Sequence, residues 1–362
     1  MTTTTLPPDY RTQLRRALRD RAGKWIAANY RHQLLVARSV KGMQVEAVEA
    51  FQRDVVAPAV REVAARLATF DDRGPAVTID RFPELRQLSQ EVSAIVARGG
   101  ATIEERVTRK LTDLAVHEAE WVRDSARKVL RVEPPPIVPT RLAQEALARP
   151  FEGQKLGEWF RDTLTQPAAK SAVQWIQTGL NRGLSVDSIA KGLRGTPGQD
   201  YLDGWLSGSA KDLRVLVRTA GTHFSATANT EAFKAIGVDR YRWVATLDSR
   251  SCPVCGANDG KVWEHGDGPL PPSHPNCRCA VTPAFGDPEG TRASKDGQVP
   301  ADLTFADWLE GRSAAEQDEV LGKRVGRAYR AGLPLAKTIG ADMQVLTLAE
   351  LRRLDRIQDD PE

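Results

Sequence analysis

Apolar positions recur at intervals of three and four residues over two stretches near the amino terminus, residues 10–38 and 43–69. This interval is typical of amphipathic helices that bury one face. The same pattern is clearest over residues 101–130, where Thr102 and Glu105 have the spacing of a capping box. The first third of the chain is therefore predicted to be helical.

A proline-rich run at residues 133–139 cannot continue a helix, because proline lacks an amide donor and restricts the residue before it, and this run predicts a domain boundary. Short helices broken by glycine are expected next, ending in a strong helix over residues 211–236 with Gly237 at its carboxyl cap. Residues 239–247 then alternate between two faces, which predicts a strand.

The last sixty residues contain three helix-start signatures. In each, a serine or threonine precedes an acidic residue by three positions: Thr304 with Asp307, Ser313 with Glu316, and Thr347 with Glu350. A small helical tail is therefore predicted.

Composition narrows the class of protein. The chain has 362 residues, of which 41% are hydrophobic and 27% charged, so a disordered or fibrous protein is excluded. It contains no run of about eighteen apolar residues and no apolar stretch typical of a secretory signal at its start. We expect a soluble protein that folds in a cytoplasm and has no membrane partner.

Positive charge is concentrated at the amino-terminal end. The first forty residues hold eight cations and two anions, a formal charge of +6, whereas the whole chain carries +4. We define the basic arm by six of these cations: Arg11, Arg15, Arg16, Arg19, Arg21 and Lys24. Such asymmetry predicts an anionic partner, and the alternative is a solvated amphipathic helix.

All four cysteines lie in a window of 28 residues, from Cys252 to Cys279. In a protein that folds in a reducing compartment, this clustering favours metal binding over disulfides. A reduced, buried cysteine cluster is the alternative.

Two segments in this window have the same form, ligand-Pro-x-ligand: one runs from Cys252 to Cys255 and the other from His274 to Cys277. Two such tight turns supply a closed tetrahedral shell of the kind that holds structural zinc. Cys279 follows two residues later, so five candidate ligands are available for four coordination positions. The matching spacing favours Cys277, and Cys279 is the alternative.

A closed shell leaves no position for substrate or water, so this site argues against an enzyme. The chain also lacks the phosphate-loop, dinucleotide, zinc-protease and serine-hydrolase motifs. Asp248, Asp259 and His265 lie near the first turn and could instead form a metal nuclease site. No residue is assigned a catalytic role.

The stretch from Leu213 to Pro283 resembles the phage head morphogenesis family, the Mu F-like minor head proteins. The resemblance rests on five ordered elements: Arg218-Thr219, a strand ending in Trp-x-x-x-x-Asp (Trp243 and Asp248), Ser-Cys-Pro-x-Cys, Asp259-Gly260-Lys261, and Pro-Pro-x-His-Pro-x-Cys-Arg-Cys. Weaker similarity extends over residues 140–362.

The resemblance implies a low-copy structural protein inside the phage head, associated with portal and capsid proteins and with packaged double-stranded DNA. Such a protein is made in the bacterial host cytoplasm, is carried in the virion, and takes no small-molecule substrate. The alternatives are a zinc-dependent nuclease and a stand-alone DNA-binding protein.

We predict a mainly α fold with an α+β head morphogenesis domain and a structural zinc module. The predicted segments are a helical amino-terminal region with the basic arm (1–133), a proline-rich linker (134–140), the helical part of the head morphogenesis domain (141–238), a strand with the zinc module (239–285), a flexible linker (286–300) and a helical tail (301–362).

Overall fold

The computed structural model describes residues 6–69, 83–196, 203–340 and 345–354, and over these residues the chain is mainly helical, as predicted. The helices are α1 (Pro8–Phe51), α2 (Ala57–Ala68), α3 (Pro83–Ser125), α4 (Pro139–Ala148), α5 (Leu156–Trp159), α6 (Gln166–Asn181), α7 (Val186–Arg194), α8 (Ser207–Ala235), α9 (Pro253–Asn258), α10 (Phe305–Glu310), α11 (Ala314–Leu321), α12 (Lys323–Arg330) and α13 (Leu348–Arg353). The strands are β1 (Arg240–Val244), β2 (Val262–Glu264), β3 (Ala280–Pro283), β4 (Thr291–Ser294) and β5 (Gly297–Pro300).

The chain forms two compact units. The first consists of Met1–Arg38, Thr112–Ala146 and Gly221–Glu362, and the second of Ser39–Leu111 and Leu147–Ala220. Each unit combines segments that are far apart in sequence, whereas the predicted segments follow one another along the chain. The predicted segment boundaries stay a prediction.

The core of the first unit surrounds Trp25 of α1, which is fully buried. Its indole N–H donates to Ser125 Oγ at 2.8 Å, and its ring meets Phe233 edge-on with 6.0 Å between centroids. Near the start of α1, the Tyr10 hydroxyl donates to the carbonyl of Ile236 at 2.8 Å. These contacts hold the amino-terminal part of α1 against the carboxyl-terminal part of α8 within this unit.

A small antiparallel sheet in the first unit has the strand order β2-β1-β3. The turn after α8 leads into it through Gly237, which has a φ of +83° and carries the predicted carboxyl cap. The predicted apolar face of the strand is buried: Tyr241, Trp243, Ala245 and Leu247. The strand itself is shorter than predicted and ends at Val244.

The second unit includes the packing of α7 against α2 and α6. Gly179 in α6 lies directly against Ile189 of α7, where a Cβ would approach within 2.5 Å of that side chain. The indole N–H of Trp175 donates to the carbonyl of Ile189 at 2.7 Å. The absence of a side chain at Gly179 therefore allows α6 and α7 to approach closely.

Two local features differ from what the sequence suggests. Residues 291–300, in the segment predicted as a flexible linker, form the antiparallel hairpin β4–β5. The spacing at Thr102 does not start a helix, because Thr102 lies inside α3 and its hydroxyl donates to the carbonyl of Arg98 at 3.1 Å. The three capping boxes of the tail are confirmed.

Candidate metal centre

The first ligand turn starts helix α9. Cys252 is its N-cap, with an extended backbone, and Pro253 occupies the first turn, where a missing amide donor costs nothing. The backbone amide of Cys255 donates to Cys252 Sγ at 3.3 Å. The Cys-Pro-x-Cys sequence thus folds into a helix start that directs amide dipoles at a sulfur atom, as structural metal sites do.

The second ligand turn runs from His274 to Cys277. It is closed by the amide of Cys277, which donates to the carbonyl of His274 at 3.2 Å, and Asn276 takes the left-handed conformation with a φ of +67°. His274 Nδ1 lies 2.8 Å from the carbonyl oxygen of Pro275. A proton on Nδ1 leaves the Nε2 lone pair free to bind a metal.

Cys255 lies at the centre of the candidate ligands. Its Sγ is 3.8 Å from Cys277 Sγ and 3.2 Å from His274 Nε2. In a tetrahedral zinc site with ordinary bond lengths, two sulfurs are about 3.8 Å apart, and a sulfur and a nitrogen about 3.5 Å apart. The sulfur-sulfur distance matches that of a tetrahedral zinc site, and the sulfur-nitrogen distance is about 0.3 Å shorter.

The five candidates form two groups that share Cys255: Cys252 with Cys255 and His274, and Cys255 with Cys277 and Cys279. Within each group the ligand atoms lie within 4.8 Å of one another. The structure therefore places the five predicted candidates in two overlapping groups of three that share Cys255, and each group could hold a metal ion.

The thiols of the cluster differ in electrostatics. The pKa of Cys252 is lowered to about 4, chiefly because Cys255 donates a hydrogen bond to its sulfur. The pKa of Cys277 is held well below its ordinary value by hydrogen bonding from Cys255 and Cys279, including the Cys279 amide. Burial instead raises the pKa of Cys279. The hydrogen bonds that Cys255 makes with Cys252 and Cys277 raise its own pKa.

Asp248 anchors the segment that carries the last two cysteines. Arg278, between Cys277 and Cys279, donates two hydrogen bonds to the Asp248 carboxylate, at 2.5 and 2.6 Å. The amide of Arg250 donates to the same carboxylate at 3.1 Å. Burial opposes ionisation of Asp248, but Arg278 outweighs it and lowers the pKa of this carboxyl.

Asp259 has no exposed side-chain surface and forms a buried ion pair with Arg292 of β4, with 2.8 Å between Oδ2 and Nη1. It also accepts hydrogen bonds from the amides of Ala245 and Phe305, both at 2.7 Å. This carboxylate joins the end of β1 to the start of α10. Both of its oxygens are used, so its role is structural.

His265 takes no part in the cysteine cluster. Its Nε2 lies 2.7 Å from the carbonyl oxygen of Val238, and its ring is stacked on Tyr241 with 5.7 Å between centroids. Burial lowers the pKa of His265, so the neutral imidazole is favoured. The structure therefore does not assemble Asp248, Asp259 and His265 into one group of ligands.

The sequence analysis did not identify three residues whose side chains contact the candidate ligands or the segments around them. Arg292 lies in the segment predicted as a linker, and nothing local indicates its distant partner. Thr222 of α8 donates to the carbonyl of Cys277 at 2.9 Å, and Ser273 Oγ lies 3.3 Å from Cys255 Sγ. Only the position of Ser273, next to a predicted ligand, could have indicated its role.

The basic arm lies on the first turns of α1. Five of its six cations are exposed, and Arg21 is half-buried. Within the described ranges, none of the six forms an ion pair with a carboxylate, in contrast to many cations farther along the chain. Arg11, Arg15 and Arg19 follow one another at one-turn intervals and so share a face.

Residues 172–282 match the family model described as phage Mu protein F like protein. This match confirms the predicted resemblance over a segment that contains all five candidate ligands, and it supports a structural role in phage head morphogenesis. No curated protein and no solved structure matches the chain. Within the described residues, no helix is both long and apolar enough to cross a membrane.

Proposed function

We propose that this chain is a minor head protein of a tailed phage, which is carried in the virion, contacts the portal and capsid proteins, and works by binding. The observation that carries the proposal is the match of residues 172–282 to the phage Mu protein F-like family. The family model does not cover residues 140–171 and 283–362. We include in the proposal that these residues also resemble the family.

We further propose that the cysteine cluster holds one structural zinc ion. The ligands in this proposal are Cys252, Cys255, His274 and Cys277. The support is the distances from Cys255 Sγ to His274 Nε2 and to Cys277 Sγ, together with the two ligand turns. Zinc supplies a cross-link between the start of α9 and the loop before β3. With four protein ligands it has no open position for a substrate.

Cys277 is the better fourth ligand than Cys279. Two backbone amides that flank its turn, those of Ser273 and Cys279, donate hydrogen bonds to its sulfur. Cys279 is buried in a cluster with Trp243, and burial raises the pKa of its thiol. Hydrogen bonds from backbone amides to a ligand sulfur are typical of structural metal sites, which favours Cys277.

The basic arm is proposed to contact the phosphates of packaged double-stranded DNA. Its unpaired, exposed arginines can form bidentate hydrogen bonds with phosphate oxygens. Protein carboxylates in the described residues do not neutralise these cations, so a polyanion can replace their counterions on binding.

A zinc-dependent nuclease is the weaker alternative. The carboxylates that would position a water molecule are occupied: Asp248 by Arg278, and Asp259 by Arg292 and two amides. A metal nuclease also requires an open coordination position.

The test is to produce phage particles with and without this chain. Purified particles are expected to contain the chain, and its omission is expected to reduce the yield of DNA-filled, infectious heads. Particles that exclude the chain, or that remain fully infectious without it, would contradict the proposal. In a parallel assay, DNA cleavage that disappears in Cys255→Ala and in chelator would favour the nuclease.

A further inference from the structure

A second group of potential metal ligands lies in the first unit and contains no cysteine. It consists of His32 on α1 and of His117 and Glu118 on α3, and one ligand atom of each lies within 4.8 Å of the others. His32 and Glu118 are buried, and His117 is exposed. Two imidazoles and a carboxylate form a donor set that binds divalent first-row transition ions.

The Glu118 carboxylate is held in one orientation. Ser225 Oγ donates to Oε2 at 2.8 Å, and Asn229 Nδ2 donates to the same oxygen at 2.5 Å. The other oxygen, Oε1, faces His32 Nε2 at 2.5 Å. Hydrogen bonds that fix one carboxylate oxygen and leave the other toward an imidazole are typical of the surroundings of metal ligands.

The His32 ring is fixed as well. It is stacked on Trp121, with 4.0 Å between centroids and planes 6° apart. The ring of His117 lies beside it, with 5.6 Å between centroids. Because the stacking sets the plane of His32, its Nε2 atom is held toward Glu118 and does not have to be ordered when an ion binds.

Two buried asparagine side chains near this group each have an amide oxygen that accepts no hydrogen bond in the described chain. Asn229 Oδ1 and Asn29 Oδ1 belong to side chains with no exposed surface, and in the described chain neither oxygen has a hydrogen-bond partner. Asn229 contacts Glu118 directly, and Asn29 lies one turn before His32 on α1. Buried acceptors of this kind are normally satisfied by an ordered water or an ion.

We propose that His32, His117 and Glu118 bind a divalent first-row transition ion at a site distinct from the cysteine cluster. The ion replaces the direct hydrogen bond between His32 and Glu118 as the link between α1 and α3. Three protein ligands leave coordination positions for water, and the exposed His117 gives the ion a route from solvent. The proposal does not depend on which metal the cysteines hold.

The experiment uses the full chain purified with zinc and dialysed to equilibrium against Co²⁺. We expect one added equivalent of cobalt, with visible bands from nitrogen and oxygen ligands and no thiolate-to-cobalt charge transfer. His117→Ala changes an exposed side chain, so the fold is retained, and cobalt affinity should fall about tenfold or more. Glu120→Ala, an exposed carboxylate on the same helix, is the matched control and should leave binding unchanged.

Glu118→Gln provides a second variant, because the amide preserves the shape of the side chain but is a poor ligand. It should lose cobalt binding while thermal melting shows a folded chain. Failure of the wild-type chain to bind cobalt would overturn the proposal and leave the cluster as a buried hydrogen-bond network. Equal binding by wild type and His117→Ala, or cobalt with thiolate charge transfer only, would overturn it too.

Discussion

Replacement of Cys255 by alanine tests the cysteine cluster at its centre. This thiol is the candidate shared by both ligand groups, and it is 2% exposed. The substitution removes one zinc ligand and also the thiol that hydrogen-bonds to the sulfurs of Cys252 and Cys277. We expect Cys255→Ala to lose its zinc.

Two effects of very different size contribute to the loss of folding stability in this variant. Truncation of a buried cysteine to alanine removes one small apolar group, which costs about 1 kcal/mol. A structural zinc ion contributes on the order of 10 kcal/mol to folding of a small module. Because whole domains have only about 5–15 kcal/mol of net stability, loss of the ion should unfold the segment around α9.

Cys279→Ala is the matched control, since it removes the same atom from an equally buried position in the same cluster. It should keep one zinc per chain and lose only the packing contribution. Elemental analysis and thermal melting of both variants measure the difference. A full equivalent of zinc in Cys255→Ala, or equal zinc loss in both variants, would refute the reasoning.

Three further predictions address other parts of the chain. Asp259→Ala leaves a buried guanidinium without its partner, so urea denaturation should show a loss of about 3–5 kcal/mol, and an unchanged midpoint would contradict this. If the basic arm contacts five or six phosphates, the logarithm of its DNA affinity should fall with log salt at a slope of about −5, and replacement of all six cations by glutamine should abolish that slope. Hydrogen bonds from Lys295 and Ser313 lower the pKa of Glu316 from 4.5 to about 2. Its carboxylate therefore stabilises the folded chain above pH 4.5, and this contribution disappears as pH falls toward 2. The melting temperatures of wild type and Glu316→Gln should converge over that range, and a constant difference would count against the assignment.

Elements with local signals could be predicted from the sequence. The capping boxes at Thr304, Ser313 and Thr347 start helices because side chain and backbone satisfy each other within four residues. The same pattern at Thr102 is misleading, because apolar positions before and after it continue one long helix. A capping box therefore indicates a helix start only where the preceding residues cannot be helical.

The candidate ligands could also be predicted, since the two turns hold both members of each ligand pair within four residues. The residues that hold the surrounding segments in place could not be predicted. Arg292 donates to Asp259, which is 33 residues away in sequence. Arg292 lies in the β4–β5 hairpin, whose glycine, proline and charge content predicted a linker. Contacts of this range depend on how the chain packs, so periodicity and composition do not reveal them.

The measurement that tests the central claim most directly is the zinc X-ray absorption spectrum of the full chain loaded with one equivalent of metal. The account predicts three sulfur neighbours at about 2.3 Å and one nitrogen at about 2.0 Å, from Cys252, Cys255, Cys277 and His274. A shell of four sulfurs, which would place Cys279 in the site, or a shell dominated by oxygen and nitrogen, would contradict it.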